Sequence, residues 1–265
     1  MRALSLLYHD VIAADDPAGA ASGFPGGAAG SYKLERGRFA QHLAALSAAA
    51  SPARRATVHN LRDNPGGGPA PVMLTFDDGG ASAHPVVSEL IERAGWRAHF
   101  LITTDFIGER GFVTHADLRA LAARGHVIGS HSCSHLTGMA ARPFARLVDE
   151  WRRSTDVLAD VLGEPVRIAS VPFGAFSNRV AAAGAAAGLT ALFTSEPTDR
   201  CRRVEGCLVI GRYAVRRETP AAVVAAFAAG ARGVRLRQLV LWNLKKAAKA
   251  VSGDAYAALR RVVYG

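Results

Sequence analysis

Cysteine is scarce, aromatic residues are few, no apolar run is long enough to span a bilayer, and histidine stops half-way along the chain. Each shortage removes a class of protein. Three cysteines, Cys133, Cys201 and Cys207, cannot all pair with one another, so a disulfide scaffold is excluded. Cys201 and Cys207 stand close enough in sequence to bond, but a core of this size does not need them to. Aromatics make up 7% of the chain and there is no nucleic-acid-binding motif, which argues against a nucleic-acid partner. Without a stretch of about 18 uncharged apolar residues, no transmembrane helix is expected. Met1–Tyr8 is apolar but meets His9-Asp10 too soon for the apolar core of a signal peptide, and it lacks a cleavage site; a cytoplasmic enzyme is the expectation. All nine histidines lie at or before residue 135, so any imidazole chemistry belongs to that part of the chain.

What the chain does have is apolar material in an ordered pattern. With 265 residues and 49% hydrophobic content it can fill one sizeable core, and a (β/α) barrel of about 250 residues would use it all. β-rich runs near 2–8, 55–59, 71–76, 97–102, 126–130, 166–171, 190–194 and 207–212 alternate with helical patterns near 36–49, 83–94, 115–124, 143–162, 177–187 and 219–230. This alternation predicts a parallel sheet wrapped by helices, and six or more such units favour a barrel over an open sheet. The stretch 15–31, rich in glycine and alanine with Pro17 and Pro25, follows the first strand. It either lines the catalytic face or is a loose insertion. Gly66-Gly67-Gly68, between Pro65 and Pro69, forms a second loop.

The net charge of +10 is uneven. From residue 231 onward eight basic residues (Arg232, Arg235, Arg237, Lys245, Lys246, Lys249, Arg260 and Arg261) face Asp254 alone, giving +7 and leaving +3 for the rest. We therefore divide the chain into a barrel over 1–230 and a basic amphipathic extension over 231–265. In the extension Leu236, Leu239, Val240, Leu244, Ala247 and Val251 share one helical stripe. Such a helix either packs on the barrel with its basic face in water or makes peripheral contact with an anionic membrane through 235–251.

Two motifs carry the chemistry. Thr75-Phe76-Asp77-Asp78-Gly79 ends the apolar run Pro71–Leu74, and His131-Ser132-Cys133-Ser134-His135 follows Val127-Ile128-Gly129. One Asp and two His can hold a divalent metal facially, with room for water and substrate, while the spare Asp acts as base. Either motif alone is weak. Both at strand ends of one alternating chain form the parts of a metal-assisted hydrolase.

The combination resembles the polysaccharide deacetylases of carbohydrate esterase family four, the NodB-homology domain. The resemblance implies a distorted (β/α) barrel of about seven strands, with Asp77 as general base and Asp78, His131 and His135 as ligands of zinc, or of cobalt, nickel or iron. Pro172-Phe173-Gly174 is similar to the family turn that shapes the groove and lends a backbone amide to the oxyanion. The likeness implies an N-acetylated saccharide substrate, in a polysaccharide or its lipid-linked precursor.

Two departures follow. Better-known members carry an Arg two residues before that Pro, where this chain has Ser170, and Arg212 or Arg216 are the candidates to replace it. They also carry a late acid histidine, which is missing here. Tyr8-His9-Asp10-Val11 resembles the Tyr-His-x-Val element of a permuted branch linked to exopolysaccharide deacetylation, which implies His9 as the general acid, with Asp10 to orient it. The rivals are hydrolysis of a small-molecule or cyclic amide on the same barrel, and a silent carbohydrate-binding protein.

Overall fold

The computed structural model describes residues 1–13, 16, 19–61 and 68–251. In chain order the elements are β1 (Leu4–Tyr8), β2 (Val11–Ile12), α1 (Gly27–Gly30), β3 (Leu34–Glu35), α2 (Arg36–Ala49), β4 (Val72–Phe76), α3 (Val86–Arg93), β5 (Ala98–Ile102), α4 (His115–Ala123) and β6 (Val127–Ser130). They continue as α5 (Phe144–Leu162), β7 (Ile168–Ser170), α6 (Asn178–Ala186), β8 (Ala191–Phe193), β9 (Arg202–Val204), β10 (Cys207–Ile210), β11 (Tyr213–Ala214), α7 (Ala221–Ala228) and α8 (Arg232–Val251).

Nine strands form one sheet in the order β11-β1-β4-β5-β6-β7-β8-β10-β9. All pairs are parallel except the β9–β10 hairpin. Helices cover the outside, so the principal strands are buried on both faces and read as unbroken apolar runs instead of alternating ones. Every residue of β1, β4 and β5 is buried. The amphipathic α5 shows the complementary pattern, sinking Leu147, Trp151 and Leu158 against the sheet. Its stop signal is Gly163 at φ 75, a left-handed cap that glycine adopts without steric cost.

The sheet curls into an incomplete barrel, and one segment draws its two ends together. β10 pairs with β8, whereas β11, beginning three residues after β10 ends, pairs with β1 at the opposite end. The switch occurs at Gly211-Arg212. A Cβ at Gly211 would lie 2.5 Å from the Glu196 carbonyl oxygen, closer than any side chain tolerates. The expected distorted α/β barrel is therefore present, with differences at the rim. The run near 55–59 makes a bridge from Arg55 to Val72 and a short turn over Val58–Asn60, with no strand of its own. The last expected strand, 207–212, breaks at the seam. No disulfide joins Cys201 to Cys207. The Gly-rich stretch around Gly66 and the end of the extension, 252–265, lie outside the described residues.

His99 sits wholly buried inside β5, its Nδ1 2.9 Å from the Leu74 carbonyl and its Nε2 accepting the Val58 N–H at 2.9 Å. Burial pushes its pKa down to about 4, so the folded protein holds it neutral. Between that value and the ordinary histidine range the unfolded chain binds the extra proton, so stability is full above about pH 6.5 and falls as pH drops towards 4. Urea unfolding across this window should show a slope of up to about 1.4 kcal/mol per pH unit for such a group. His99→Gln should make that slope shallower, whatever its absolute stability; an unchanged slope would remove His99 as the cause.

Candidate active site

The site lies where β1, β4, β6 and β7 end. The Asp77 N–H donates to the Tyr8 carbonyl at 3.0 Å, which extends the β4 ladder by one residue and turns the Asp77 side chain inward. A continued strand would send Asp78 the other way. Instead Asp78 takes φ 74 and Gly79 φ 85, and both carboxylates face the mouth. Four of the five non-glycine residues with positive φ among the described residues, Asp78, Ser132, His135 and Phe173, belong to this site. Backbone strain of about 1–3 kcal/mol per residue is thus concentrated where the surrounding packing enforces it.

Asp78 is the meeting point of three imidazoles. Nε2 of His131 and Nε2 of His135 each lie 3.4 Å from its Oδ1, and Nε2 of His9 lies 4.0 Å from its Oδ2. Burial opposes its charge, but these imidazoles outweigh burial and hold its carboxyl below the usual range. Burial pushes His131 down to about 4, against the pull of both aspartates, so its ring is neutral. The Nδ1 of His131 is 2.5 Å from Ser170 Oγ, which donates to Asp77 Oδ1 at 3.1 Å. Because an ionised carboxylate can only accept, Ser170 accepts from Nδ1–H, and Nε2 keeps its lone pair directed at Asp78.

The donors fit a divalent cation. One ligand atom each from Asp78, His131 and His135 lie within 4.8 Å of one another. Asp78 Oδ1 is buried without a hydrogen-bond partner among the described residues, an expensive arrangement unless a cation satisfies it. One carboxylate with two imidazoles suits zinc and its first-row neighbours. His135 is clamped by rings, stacked 4.6 Å from Phe24 and tilted against Phe173 at 4.4 Å. Cys133 takes no part: it is buried with Sγ 3.0 Å from Asp105 Oδ1, and burial, with the acceptor beside it, pushes the thiol up to about 11.

Asp77 has a different environment. Arg212 grips it bidentately, Nη1 to Oδ1 at 2.6 Å and Nη2 to Oδ2 at 2.7 Å. Burial would raise its pKa, but the Arg212 guanidinium, followed by His131, more than offsets that and holds the carboxylate ionised. Arg212 is itself fully buried, with Nε donating to the Thr194 carbonyl at 3.0 Å and Nη1 to Thr75 Oγ1 at 3.1 Å. Between the two candidates the structure selects Arg212. Arg216 instead lies 4.9 Å over the Tyr32 ring and donates to its hydroxyl at 2.9 Å.

One expectation is corrected. Asp10 does not orient His9. Its Oδ1 accepts from Ser22 Oγ at 2.6 Å and Ser82 Oγ at 3.0 Å, while His9 Nδ1 has no hydrogen-bond partner among the described residues. Asp10 ties the 19–31 loop to the Asp-pair loop, and Gly80 leaves it room, since a Cβ there would stand 1.9 Å from Oδ1. The His9 ring is held by Tyr32, centroids 4.6 Å apart. Pro172, Phe173 and Gly174 form a tight turn, with Phe173 at φ 56 and its ring exposed at the rim. Phe24 and Tyr32 wall the site, and no motif in the sequence marks either. The one signal is that two aromatic residues stand in a stretch otherwise dominated by glycine and alanine.

The geometry and the motifs agree with sequence comparison. The family profile described as polysaccharide deacetylase matches residues 65–192, which contain the Asp pair, the His pair and the Pro172 turn. Over these 128 of 265 residues the chain is similar to the polysaccharide deacetylase family. No curated protein sequence matches this chain. Solved structures share its fold. The Streptococcus pyogenes deacetylase PplD, in complex with acetate, is 16% identical with a TM-score of 0.64 over 83% of this chain and 95% of that one. A de-N-acetylase from Aggregatibacter actinomycetemcomitans is 19% identical, with a TM-score of 0.65 over 86% and 100%. IcaB from Ammonifex degensii is 20% identical, with a TM-score of 0.60 over 85% and 99%.

Proposed function

We propose that this protein is a metal-dependent hydrolase that removes N-acetyl groups from amino sugars of a polysaccharide or its lipid-linked precursor. The observation that carries the reading is the division of labour between neighbouring carboxylates. Asp77 is ionised and held by Arg212, whereas Asp78 stands with His131 and His135 in a separate donor set. A cation bound by Asp78, His131 and His135, zinc first by donor type, would polarise the acetamide carbonyl and lower the pKa of water. Asp77 takes the proton of the attacking water, its lone pairs aimed by Arg212 and Ser170. The backbone amide at Phe173 serves the developing oxyanion. His9, on the Asp78 side of the site, gives a proton to the departing amine. Acetate and a free amino sugar leave. Arg212 also answers the main argument for a silent binding protein, since a guanidinium is present where Ser170 had left a gap.

The test is acetate release from a panel of N-acetylated glycans by protein that has been stripped with chelator and then reloaded. Release that requires reloading supports the proposal. No acetate from any substrate by protein shown to carry one cation per chain would overturn it.

Ser170→Ala removes the hydroxyl that links the base to a ligand. Loss of such a supporting hydrogen bond typically costs about 10–100-fold in activity or metal affinity. We expect kcat to fall at near-constant KM and zinc to bind more weakly, because the His131 tautomer is no longer fixed. Zinc titration and steady-state kinetics of the variant check both, and wild-type values in each would dismiss the role.

A further inference from the structure

α8 is attached to the barrel through Val234, packed against the core, and through polar groups. Arg235 Nη2 is 2.6 Å from Asp199 Oδ2, Arg235 Nε donates to the Tyr213 hydroxyl at 2.9 Å, and Gln238 Nε2 donates to the Ala214 carbonyl at 2.8 Å. The residues turned outward include a set of large apolar ones among basic neighbours. Leu236, Val240 and Leu244 are 61%, 48% and 51% exposed, half of the large exposed hydrophobic residues among those described. Of the two orientations open to an amphipathic helix here, these three side chains take the outward one. A helix that turns Arg235 and Gln238 inward and Leu236, Val240 and Leu244 outward is oriented for a partner other than the barrel.

We infer that the outward face of α8 docks on an anionic lipid bilayer surface. At about 100° per residue, Leu236, Val240, Leu244 and the exposed Ala247 form a continuous stripe. Arg232 and Lys246, both exposed, border it on one side, and exposed Arg237 borders it on the other. This is the cross-section of an interfacial helix, with apolar side chains entering the acyl boundary and long basic side chains reaching headgroup phosphates. α8 contains no acidic residue, whereas α5, of similar length, carries Asp149, Glu150, Asp156 and Asp160. A solvated helix mixes both signs in that way; one facing anionic lipid does not. Charge also disfavours a second copy on the same stripe, because each copy would bring its +7 to the other. No helix among the described residues is long and apolar enough to cross a membrane, so the contact is parallel to the surface.

The experiment is co-sedimentation of the full chain with vesicles of phosphatidylcholine alone and of phosphatidylcholine mixed with phosphatidylglycerol. Binding is expected only to the mixed vesicles and should weaken as salt is added. Each basic residue near such a surface contributes about fivefold in affinity, so Arg232→Gln, Arg237→Gln and Lys246→Gln together should weaken binding on the order of a hundredfold. Leu236→Ser, Val240→Ser and Leu244→Ser together should abolish it while leaving the unfolding midpoint unchanged, since these side chains are exposed. The inference is overturned if the full chain ignores phosphatidylglycerol, or if both triple variants bind as the parent does. It is equally overturned if light scattering shows a dimer that the serine variant dissolves, because the stripe would then be a self-contact.

Discussion

Asp77→Asn should lower kcat by about 10²–10⁴-fold, the usual cost of losing a general base, while zinc still titrates to one per chain. Asparagine matches the shape of aspartate and accepts one hydrogen bond from Arg212, but it has no basic lone pair of carboxylate strength. Metal binding survives because Asp77 is not in the donor set of Asp78, His131 and His135. The variant should also be less stable. Arg212 is fully buried, and removing the charge that faces it leaves an uncompensated cation, at a cost of about 3–5 kcal/mol in comparable cases. Single-turnover acetate release, zinc titration and thermal unfolding together separate these effects. A variant that hydrolyses at the wild-type rate would refute the assignment of the base.

His9→Ala should lower kcat by a factor in the same range of about 10²–10⁴, far more than it raises KM, and should flatten the alkaline limb of the pH–rate profile. The expectation rests on placement. His9 ends β1, with Nε2 4.0 Å from Asp78 Oδ2, and its ring leans on Tyr32 instead of pointing into solvent. Both imidazoles of the donor set face the other oxygen of Asp78, so His9 stands outside that set. Zinc content is therefore the discriminating readout. An acid can be lost without losing metal, whereas a variant that no longer holds zinc would make His9 a ligand. A variant that keeps both rate and alkaline limb would leave the leaving group to be protonated by water or another side chain.

Much of the framework is legible in the sequence because buried parallel strands and amphipathic helices leave strong patterns. The runs at 71–76, 97–102 and 126–130 and the helices at 36–49 and 143–162 lie within a residue or two of where they fold. Short edge elements are not legible. β9 is an exposed three-residue strand rich in arginine, and nothing in Arg202-Arg203-Val204 distinguishes it from a turn. The Asp and His motifs can be read because their spacing is local. Arg212 cannot be chosen over Arg216 on spacing, because what decides between them is a kink. At Gly211 the chain leaves one end of the sheet for the other, and only the first arginine after that kink points inside. Asp10 misleads for a related reason: adjacency to His9 suggests a partnership, yet neighbouring residues at a strand end face different ways. The aromatic wall comes from a segment without periodicity, where sequence names the residues but not their directions.

The seam at Gly211-Arg212 has a consequence for how such sites evolve. In a sheet curled back on itself, the first and last strands are neighbours, so linear order along the gene imposes no order around the mouth. A guanidinium beside Asp77 can be supplied from any rim position whose side chain reaches inward, and here it comes from the stretch that joins the two ends of the sheet. The functional group is inherited as a place in a ring, and its address in the chain is free to move. Arg212 also makes the ring's integrity a condition of reactivity. If the joint between β10 and β11 frays, the guanidinium leaves with it, and Asp77 loses its counter-charge before the helices outside have moved. Loss of turnover on heating would then precede loss of helix, with the joint acting as a fuse.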